Sequence, residues 1–280
     1  MNITRRDMLK QSAAWTALLA GGLPRLAAAA EGAKIPVGLE LYSVRNECAK
    51  DLPGVLAQVA KIGYSGVEFA GYHGRSAADL RKLLDDHGLK CYGTHTGLNT
   101  LLGDALKGTI EFNQTIGNPN LIVPSLPHDR VDSAQACKDT AKLFNELAAK
   151  VKDQGMRVGY HAHGGDFKKY DGETVWDLIF SNTGPDVVMQ LDTCNCLSGG
   201  GDPVAILKKY PGRSLTVHLK EFGGPKGAVI GQGTVKWPEV FELCESTGGT
   251  RWYIVEHESG SDPIAAVKGC FEALRGMGKV

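Results

Sequence analysis

The chain has 280 residues, of which 42% are hydrophobic and 22% charged, and its 31 basic residues balance its 31 acidic ones. This is the composition of a soluble globular protein, long enough for one large domain or two small ones. Because there is no basic excess, binding to nucleic acid or to an anionic membrane surface is not expected.

The first 30 residues have the pattern of a twin-arginine export signal. Arg5 and Arg6 stand in TRRDMLK, a weakly apolar run follows from Ala13 to Leu23, and Ala27 to Ala30 supply small residues for cleavage. The apolar run is roughly half of the ~20 residues that a membrane-spanning helix needs. We therefore expect export, cleavage near residue 30, periplasmic residence and no membrane span afterwards. An uncleaved anchor after a chance Arg-Arg pair is the alternative.

Removal of residues 1–30 takes away four basic residues and one acidic residue, so the net charge of the mature chain becomes about −3. The seven cysteines are odd in number and scattered along the chain. A disulfide framework is therefore not expected, even in an oxidising compartment. Proteins that leave by the twin-arginine route are folded before export, which is compatible with buried thiols.

Past residue 34 the sequence predicts eight strands that alternate with helices. Between the strands, apolar residues recur with helical spacing, and Ser76, Asp202 and Asp262 are expected N-caps, the last two followed by proline. The predicted strands are 37–44, 66–70, 90–96, 120–125, 157–162, 187–192, 214–222 and 251–258.

Eight strand–helix units without an intervening linker predict one (β/α)8 TIM barrel over residues 31–280. Such barrels typically contain about 250 residues, and their strands are continuous apolar runs because both faces are covered. A doubly wound sheet would have fewer strands and a glycine-rich first turn, which LELYSVRNE lacks.

Ionisable side chains follow seven of the eight predicted strands, at the ends where barrel active sites are built. They would be costly in a core unless they were paired or bound to something. Only the fourth strand, which ends in LIVPS, lacks one. In chain order these residues are Glu40, Tyr42, Arg45, Glu68, His95, His161, His163, Asp192, His218, Lys220, Glu256 and Glu258.

His161, Asp192, His218 and Glu256 end four consecutive strands and are expected to face one quadrant of the barrel mouth. Two imidazoles and two carboxylates form a donor set suited to a divalent metal ion. Each residue also has a structural interpretation, such as a hydrogen-bonded core histidine or, for Asp192, a cap on the next turn. An unpaired Glu256 after YIV would be the hardest to accommodate.

Motifs along nearly the whole mature chain resemble the sugar phosphate isomerase/epimerase family of xylose-isomerase-like barrels. They are LELYSVR, GYHAHGGDF, NTGPDVVMQLDTCN, GGGDPVAILKKYPGR, VHLKEF, IGQGTVKWPEVFE and YIVEHE. The resemblance implies one divalent metal ion, commonly Mn, Zn, Co or Mg, bound by strand-end Glu, Asp, His and Glu.

Asp192, His218 and Glu256 match the last three of these ligands, whereas His161 replaces the first glutamate. A branch of the family with a YHNHDFEF-like fifth strand carries histidine at this position. Ala162 and the glycine pair that follows His163 depart from that motif as well. The branch is associated with oxidised 3-keto sugars and glycosides, often in exported proteins.

A metal at this position would act as a Lewis acid toward a sugar hydroxyl and a neighbouring carbonyl. A carboxylate or histidine would take the proton next to that carbonyl. If His161 binds the metal, its lone pair cannot take a proton, which favours isomerisation or elimination over an epimerisation with a base on each face. The catalytic candidates are Glu256, Glu68, His95 and Lys220. The substrate-binding candidates are Glu40, His163, Asn195 and Trp237, with packing the favoured alternative for Trp237.

The resulting prediction is a metal-dependent isomerase or epimerase that acts on a small-molecule keto-sugar. One alternative is a 3-keto-glycoside lyase or hydratase of the same family. Another is a non-catalytic periplasmic sugar-binding barrel, which the metal ligands disfavour. QLDTCN also resembles a motif of barrel endonucleases that use three zinc ions, but Asn195 stands where a ligand histidine is expected. The sequence is compatible with a homo-oligomer and leaves the metal and the sugar open.

Overall fold

Eight parallel strands close into a barrel in the part of the chain that the computed structural model describes, residues 34–280. Each strand pairs with its neighbours in chain order, and the first closes against the last. The (β/α)8 prediction is therefore confirmed, whereas the export signal lies outside the described residues. The strands are β1 (Val37–Glu40), β2 (Gly66–Phe69), β3 (Lys90–His95), β4 (Asn120–Val123), β5 (Arg157–His161), β6 (Val187–Asp192), β7 (Thr216–Leu219) and β8 (Trp252–Val255).

The described residues form nine α-helices that connect and flank the strands. A short extra helix, α6, directly follows β6 and precedes the longer connection to β7. No helix among the described residues is long and apolar enough to cross a bilayer. The helices are α1 (Arg45–Ile62), α2 (Ala77–Asp86), α3 (Ala105–Ile116), α4 (Ala134–Lys152), α5 (Val175–Phe180), α6 (Thr193–Ser198), α7 (Pro203–Lys209), α8 (Trp237–Ser246) and α9 (Pro263–Gly276).

The predicted helix caps are confirmed. The Ser76 hydroxyl accepts a hydrogen bond from the Asp79 backbone N–H at 3.1 Å, at the start of α2. Asp202 and Asp262 accept in the same way at the starts of α7 and α9, where proline occupies the first turn. Each cap satisfies a backbone N–H that would otherwise lack a partner at the helix start.

Several strands are shorter than the sequence predicts. The chain leaves β1 after Glu40, whose carboxylate accepts from the Tyr42 backbone N–H at 3.0 Å and starts a 3₁₀ turn, Leu41–Val44. The strands β7 and β8 likewise end at Leu219 and Val255. The polar residues that follow these strands therefore lie in loops at the barrel mouth.

A small antiparallel hairpin after β5 was not anticipated from the sequence. It pairs Lys169–Tyr170 with Glu173–Thr174. Its two turn residues, Asp171 and Gly172, have φ angles of 53° and 90°. Asp-Gly is the typical sequence of a two-residue turn that needs positive φ at both positions.

The alternation of side chains along each strand determines which residues enter the barrel. Gln190 of β6 donates a hydrogen bond to Glu68 of β2 across the barrel, so its side chain points inward. Asp192, two residues further along β6, points to the same side. Both residues are fully buried. The barrel interior therefore carries a polar layer below its mouth.

Candidate active site

A cavity of about 530 Å³ opens at the C-terminal ends of the strands. A groove of about 760 Å³ between α1 and α9 is larger, but it lies on the outer helices, away from the strand ends. The cavity at the strand ends therefore has the position expected of a barrel active site. Polar side chains in its wall are those of Tyr42, Ser125, His95, His161, His163, Asn195, Glu256 and Glu258.

The four predicted metal ligands come together where His161 and Glu256 line this cavity. His161, Asp192, His218 and Glu256 each offer one ligand atom, and these atoms lie within 4.8 Å of one another. His218 Nδ1 is 2.7 Å from a Glu256 oxygen and 4.0 Å from Asp192 Oδ2. All four side chains are buried.

Asp192 shows why this donor set fits a divalent ion. Its Oδ1 accepts from the Asn195 backbone N–H at 2.6 Å, while Oδ2 is buried and has no hydrogen-bond partner. Buried polar atoms are normally satisfied, and a bound cation would supply the partner that this carboxylate oxygen lacks. His161, Asp192, His218 and Glu256 are therefore the residues that could hold a metal.

Burial and charge give these ligands unusual proton affinities. Burial, together with the charge of Glu256, raises the pKa of Asp192 to about 7. Burial alone would lower the pKa of His218, but its hydrogen bonds to Glu256 and Glu68 raise that pKa well above its ordinary value. Burial would raise the pKa of Glu256, and His218 instead holds it well below its usual range. A proton on His218 thus balances part of the carboxylate charge.

A second group of nearby donor atoms consists of Glu40, Glu68, His95 and His218. Glu68 accepts from Gln190 Nε2 at 3.0–3.1 Å and lies 3.1 Å from His218 Nε2. Glu40 Oε2 is buried without a partner, and burial, reinforced by Glu68, raises the pKa of Glu40 well above its usual range. Both glutamates lie beneath the cavity and not in its wall.

His95 and Lys220, both catalytic candidates, have different environments. Burial lowers the pKa of His95, although the charge of Glu68 opposes the shift. Lys220 Nζ lies 3.0 Å from Glu256 Oε1 and also contacts Glu258. Burial would lower the pKa of Lys220, but these carboxylates raise it above its ordinary value. A neutral His95 in the cavity wall can accept a proton, whereas Lys220 stays charged and paired.

The substrate-binding candidates are placed unequally. His163 is exposed in the cavity wall. Asn195 also lines the cavity, where its side-chain amide donates to the Ala162 carbonyl at 2.9 Å and ties α6 to β5. Trp237 is buried outside the cavity, stacked on Phe241 with ring centroids 5.5 Å apart. The buried position of Trp237 therefore agrees with a role in packing and not with substrate contact in this cavity.

Gln190 is a residue of the site that the sequence interpretation missed. Its amide contacts His95, His161, Glu68 and Thr216 from the centre of the barrel. The signal was present in QLD, because residues two apart on a strand share a face. Glutamine carries no charge, so Gln190 does not stand out among ionisable residues at strand ends.

The rim of the cavity carries an aromatic side chain whose role the sequence does not predict. Tyr42 is 42% exposed, although it lines the cavity. The Arg45 guanidinium covers one face of the ring, 4.1 Å from its centroid, and donates to the Tyr42 carbonyl at 2.8 Å. The Arg45 side chain therefore holds the Tyr42 ring at the cavity entrance.

Comparison with known proteins finds one matching family and several similar proteins. A family described as the xylose isomerase-like TIM barrel matches residues 56–276. The rhizopine catabolism protein MocC of Rhizobium meliloti is 26% identical, and the match covers 75% of each chain. The inosose dehydratase of Erwinia tasmaniensis is 24% identical over 76% of this chain and 83% of its own.

Solved structures show the same architecture. A sugar phosphate isomerase/epimerase from Parabacteroides distasonis superposes with a TM-score of 0.75 at 27% identity, over 87% of this chain and 98% of that one. The IolI protein, solved with a zinc atom, gives a TM-score of 0.66 at 15% identity over 87% and 98%. At the latter identity the likeness concerns the fold alone.

Proposed function

The chain belongs to the xylose isomerase-like TIM barrel family, and from that premise we propose a metal-dependent enzyme that acts on keto-sugars or ketocyclitols. It would remove the proton from the carbon next to the carbonyl. The observation that carries the proposal is the buried group of His161, Asp192, His218 and Glu256 beside a cavity that has a neutral His95 in its wall. Sugar binding alone would not need such a donor set.

The four ligands would hold one divalent ion, with Mn, Zn, Co and Mg the candidates. Zinc in the solved IolI protein supports a metal in this fold. When bound, the ion would supply Lewis-acid activation of the substrate carbonyl. The described residues keep bulk water from the ligands, since all four side chains are buried.

His95 is the residue we assign as the base. Its Nε2 lies 3.3 Å from the Gln190 oxygen, so it acts as a donor there and Nδ1 keeps the lone pair. Glu256 is a weaker base, because its two oxygens face Lys220 and His218 and its pKa is low. Lys220 would hold Glu256 and Glu258 in place rather than transfer the proton itself.

Elimination is the outcome we favour after proton removal. The electron pair left on carbon forms a double bond to the next carbon, the C–O bond there breaks, and the oxygen substituent departs with that bonding pair and takes up a proton from water. The similarity to an inosose dehydratase supports this reaction, since that name describes loss of water from a ketocyclitol. Isomerisation is the second candidate, supported by the 27% identical sugar phosphate isomerase/epimerase.

Proton NMR in deuterated water would test the proposal. The metal-loaded protein would be incubated separately with an inosose, a 3-keto-glucoside and free ketoses, and His218→Ala would serve as the inactive control. We expect loss of water from the inosose or of the aglycone from the keto-glucoside. Rapid epimerisation of ketoses at C3 with deuterium uptake, and no attack on the other two compounds, would rule out elimination. No reaction with any of the three compounds would contradict the proposed function.

A further inference from the structure

The Gln190 side chain uses its whole hydrogen-bonding capacity inside the barrel. Its Nε2 lies 3.0 Å from Thr216 Oγ1 and 3.0–3.1 Å from the two Glu68 oxygens. Its Oε1 lies 3.0 Å from His161 Nδ1 and 3.3 Å from His95 Nε2. An amide has two donors and two acceptor lone pairs, and here each has a partner.

Glu68 determines which way this amide faces. An ionised carboxylate only accepts hydrogen bonds, so the N–H groups of Gln190 must point at Glu68 and the oxygen must point away from it. Gln190 Nε2 lies 3.0–3.1 Å from both Glu68 oxygens, and His218 Nε2 lies 3.1 Å from one of them, so this carboxylate accepts from both side chains. The oxygen of Gln190 consequently faces the two histidines.

The histidine tautomers follow from this orientation. Because the amide oxygen can only accept, His161 Nδ1 and His95 Nε2 must both carry protons. The proton on His218 Nε2 is held by Glu68 directly, since this nitrogen lies 3.1 Å from Glu68 Oε2. The nitrogens with free lone pairs are then His161 Nε2, the atom left to bind a metal, and His95 Nδ1.

We propose that Glu68 and Gln190 act together as positioning residues that fix the tautomers of His161 and His95 and hold the proton on His218 Nε2. Glu68 then orients one metal ligand directly and, through Gln190, a second ligand and the base. Partners that hold the remote nitrogen of a ligand histidine in this way raise its metal affinity. The use of His95 as a base depends on the proposed function, but the tautomers do not.

The tautomers can be read directly in metal-free protein labelled with ¹⁵N-histidine, from long-range ¹H–¹⁵N NMR spectra. Zinc affinity is measured in parallel by competition with a chromophoric chelator. Gln190→Met keeps the size of the side chain and removes the acceptor. We expect His161 and His95 to lose their single tautomers, and zinc to bind about 10–100-fold more weakly.

Two further variants separate this role from packing. Thr216→Val removes only one partner of the Gln190 N–H group, so both tautomers should remain as in the wild type. The double variant E68Q/Q190E exchanges the amide and the carboxylate. The amide at position 68 can still accept from His218 and donate to the carboxylate at position 190. That carboxylate can accept from His161 and His95. The double variant should therefore restore the tautomers and most of the zinc affinity.

Wild-type tautomers and zinc affinity in Gln190→Met would overturn the proposal. So would a folded E68Q/Q190E protein that restores neither property, or a Thr216→Val protein as disturbed as Gln190→Met. If Gln190→Met does not fold, as judged by circular dichroism, the other two variants decide. Because none of these readouts is turnover, failure of the proposed reaction would be seen separately.

Discussion

His95 and Glu256 differ in how burial and neighbouring charges set their affinity for a proton. His95 is neutral because burial lowers its pKa, and its Nδ1 is free of the Gln190 contact. Glu256 is ionised because His218 and Lys220 outweigh the effect of burial. Both residues are catalytic candidates in the sequence. Their neighbours, which come from other strands, distinguish the proposed base from the ionised carboxylate.

Replacing His95 by glutamine should abolish most of the turnover and leave the metal in place. Removal of a positioned acid–base group typically lowers kcat by about 10²–10⁴-fold. His95 is not in the group of four ligands, so metal content measured by mass spectrometry should match that of the wild type. Undiminished kcat in this variant would exclude His95 as the base.

Asp166 should make the stability of the fold depend on pH. It is buried after β5, and burial raises its pKa to about 6 from 3.8, although hydrogen bonds from the His163 backbone and the Tyr160 hydroxyl oppose the shift. The folded state therefore binds this proton more tightly than the unfolded state. The stabilisation, about 3 kcal/mol in full, is present at acid pH and is lost as pH rises from about 4 to about 6.

Urea unfolding of the wild type and Asp166→Asn across this pH window measures the effect. The variant replaces one carboxyl oxygen of Asp166 by an NH2 group that cannot accept, so its unfolding free energy should be lower than that of the wild type. The informative quantity is the slope, because the difference between the two proteins should shrink as pH rises. A difference that stays constant with pH would contradict the raised pKa.

The positions of the strands and of the capped helix starts could be predicted from local sequence, whereas the ends of the strands could not. Continuous apolar runs located all eight strands, and Ser76 and Asp262 marked helix starts through their own side chains. The strand β1 ends earlier than predicted because Glu40 bonds the Tyr42 backbone, a contact that apolar periodicity does not encode. The same holds for the hairpin after β5, where Asp171-Gly172 was the overlooked signal.

The strand β5 requires a glycine below His161. A Cβ added to Gly159 would lie 2.6 Å from the Val188 carbonyl oxygen and 2.9 Å from Ile122 Cδ1. Gly159→Ala should therefore destabilise the fold by about 1–3 kcal/mol through overpacking. The matched control is Gly108→Ala, in the exposed face of α3 with nothing within 4 Å of its Cβ.

The control should raise stability by about 0.5–1 kcal/mol, since alanine is the better helix former. Urea unfolding of the two variants gives both values. Equal effects of the two substitutions would mean that β5 tolerates a side chain at this position.

At the scale of the whole molecule, strand order made the grouping of the four candidate metal ligands predictable. The ends of consecutive strands are neighbours in a closed barrel, so His161, Asp192, His218 and Glu256 could be grouped before their distances were known. Contacts across the barrel could not be predicted in this way. The bond between Gln190 and Glu68 joins residues 122 apart in sequence, and their meeting depends on barrel closure and register.

We propose, as the sequence suggests, that the chain is exported by the twin-arginine route. All seven cysteines are free, and six of them are buried, which is compatible with export after folding. In a bacterial host with this pathway, replacement of Arg5 and Arg6 by lysines should retain the protein in the cytoplasm. Cell fractionation would show the change, and an unaltered periplasmic yield would remove the proposal.

The metal content of purified wild type and Asp192→Asn, measured by mass spectrometry after dialysis, tests the assignment of the site most directly. Asp192 contributes a buried oxygen without a hydrogen-bond partner, and the asparagine side chain has nearly the same shape without the charge. The wild type should carry about one divalent ion per chain, and the variant should lose most of it. A variant that retains full occupancy, or a wild type that takes up no metal when metal is supplied, would contradict the assignment.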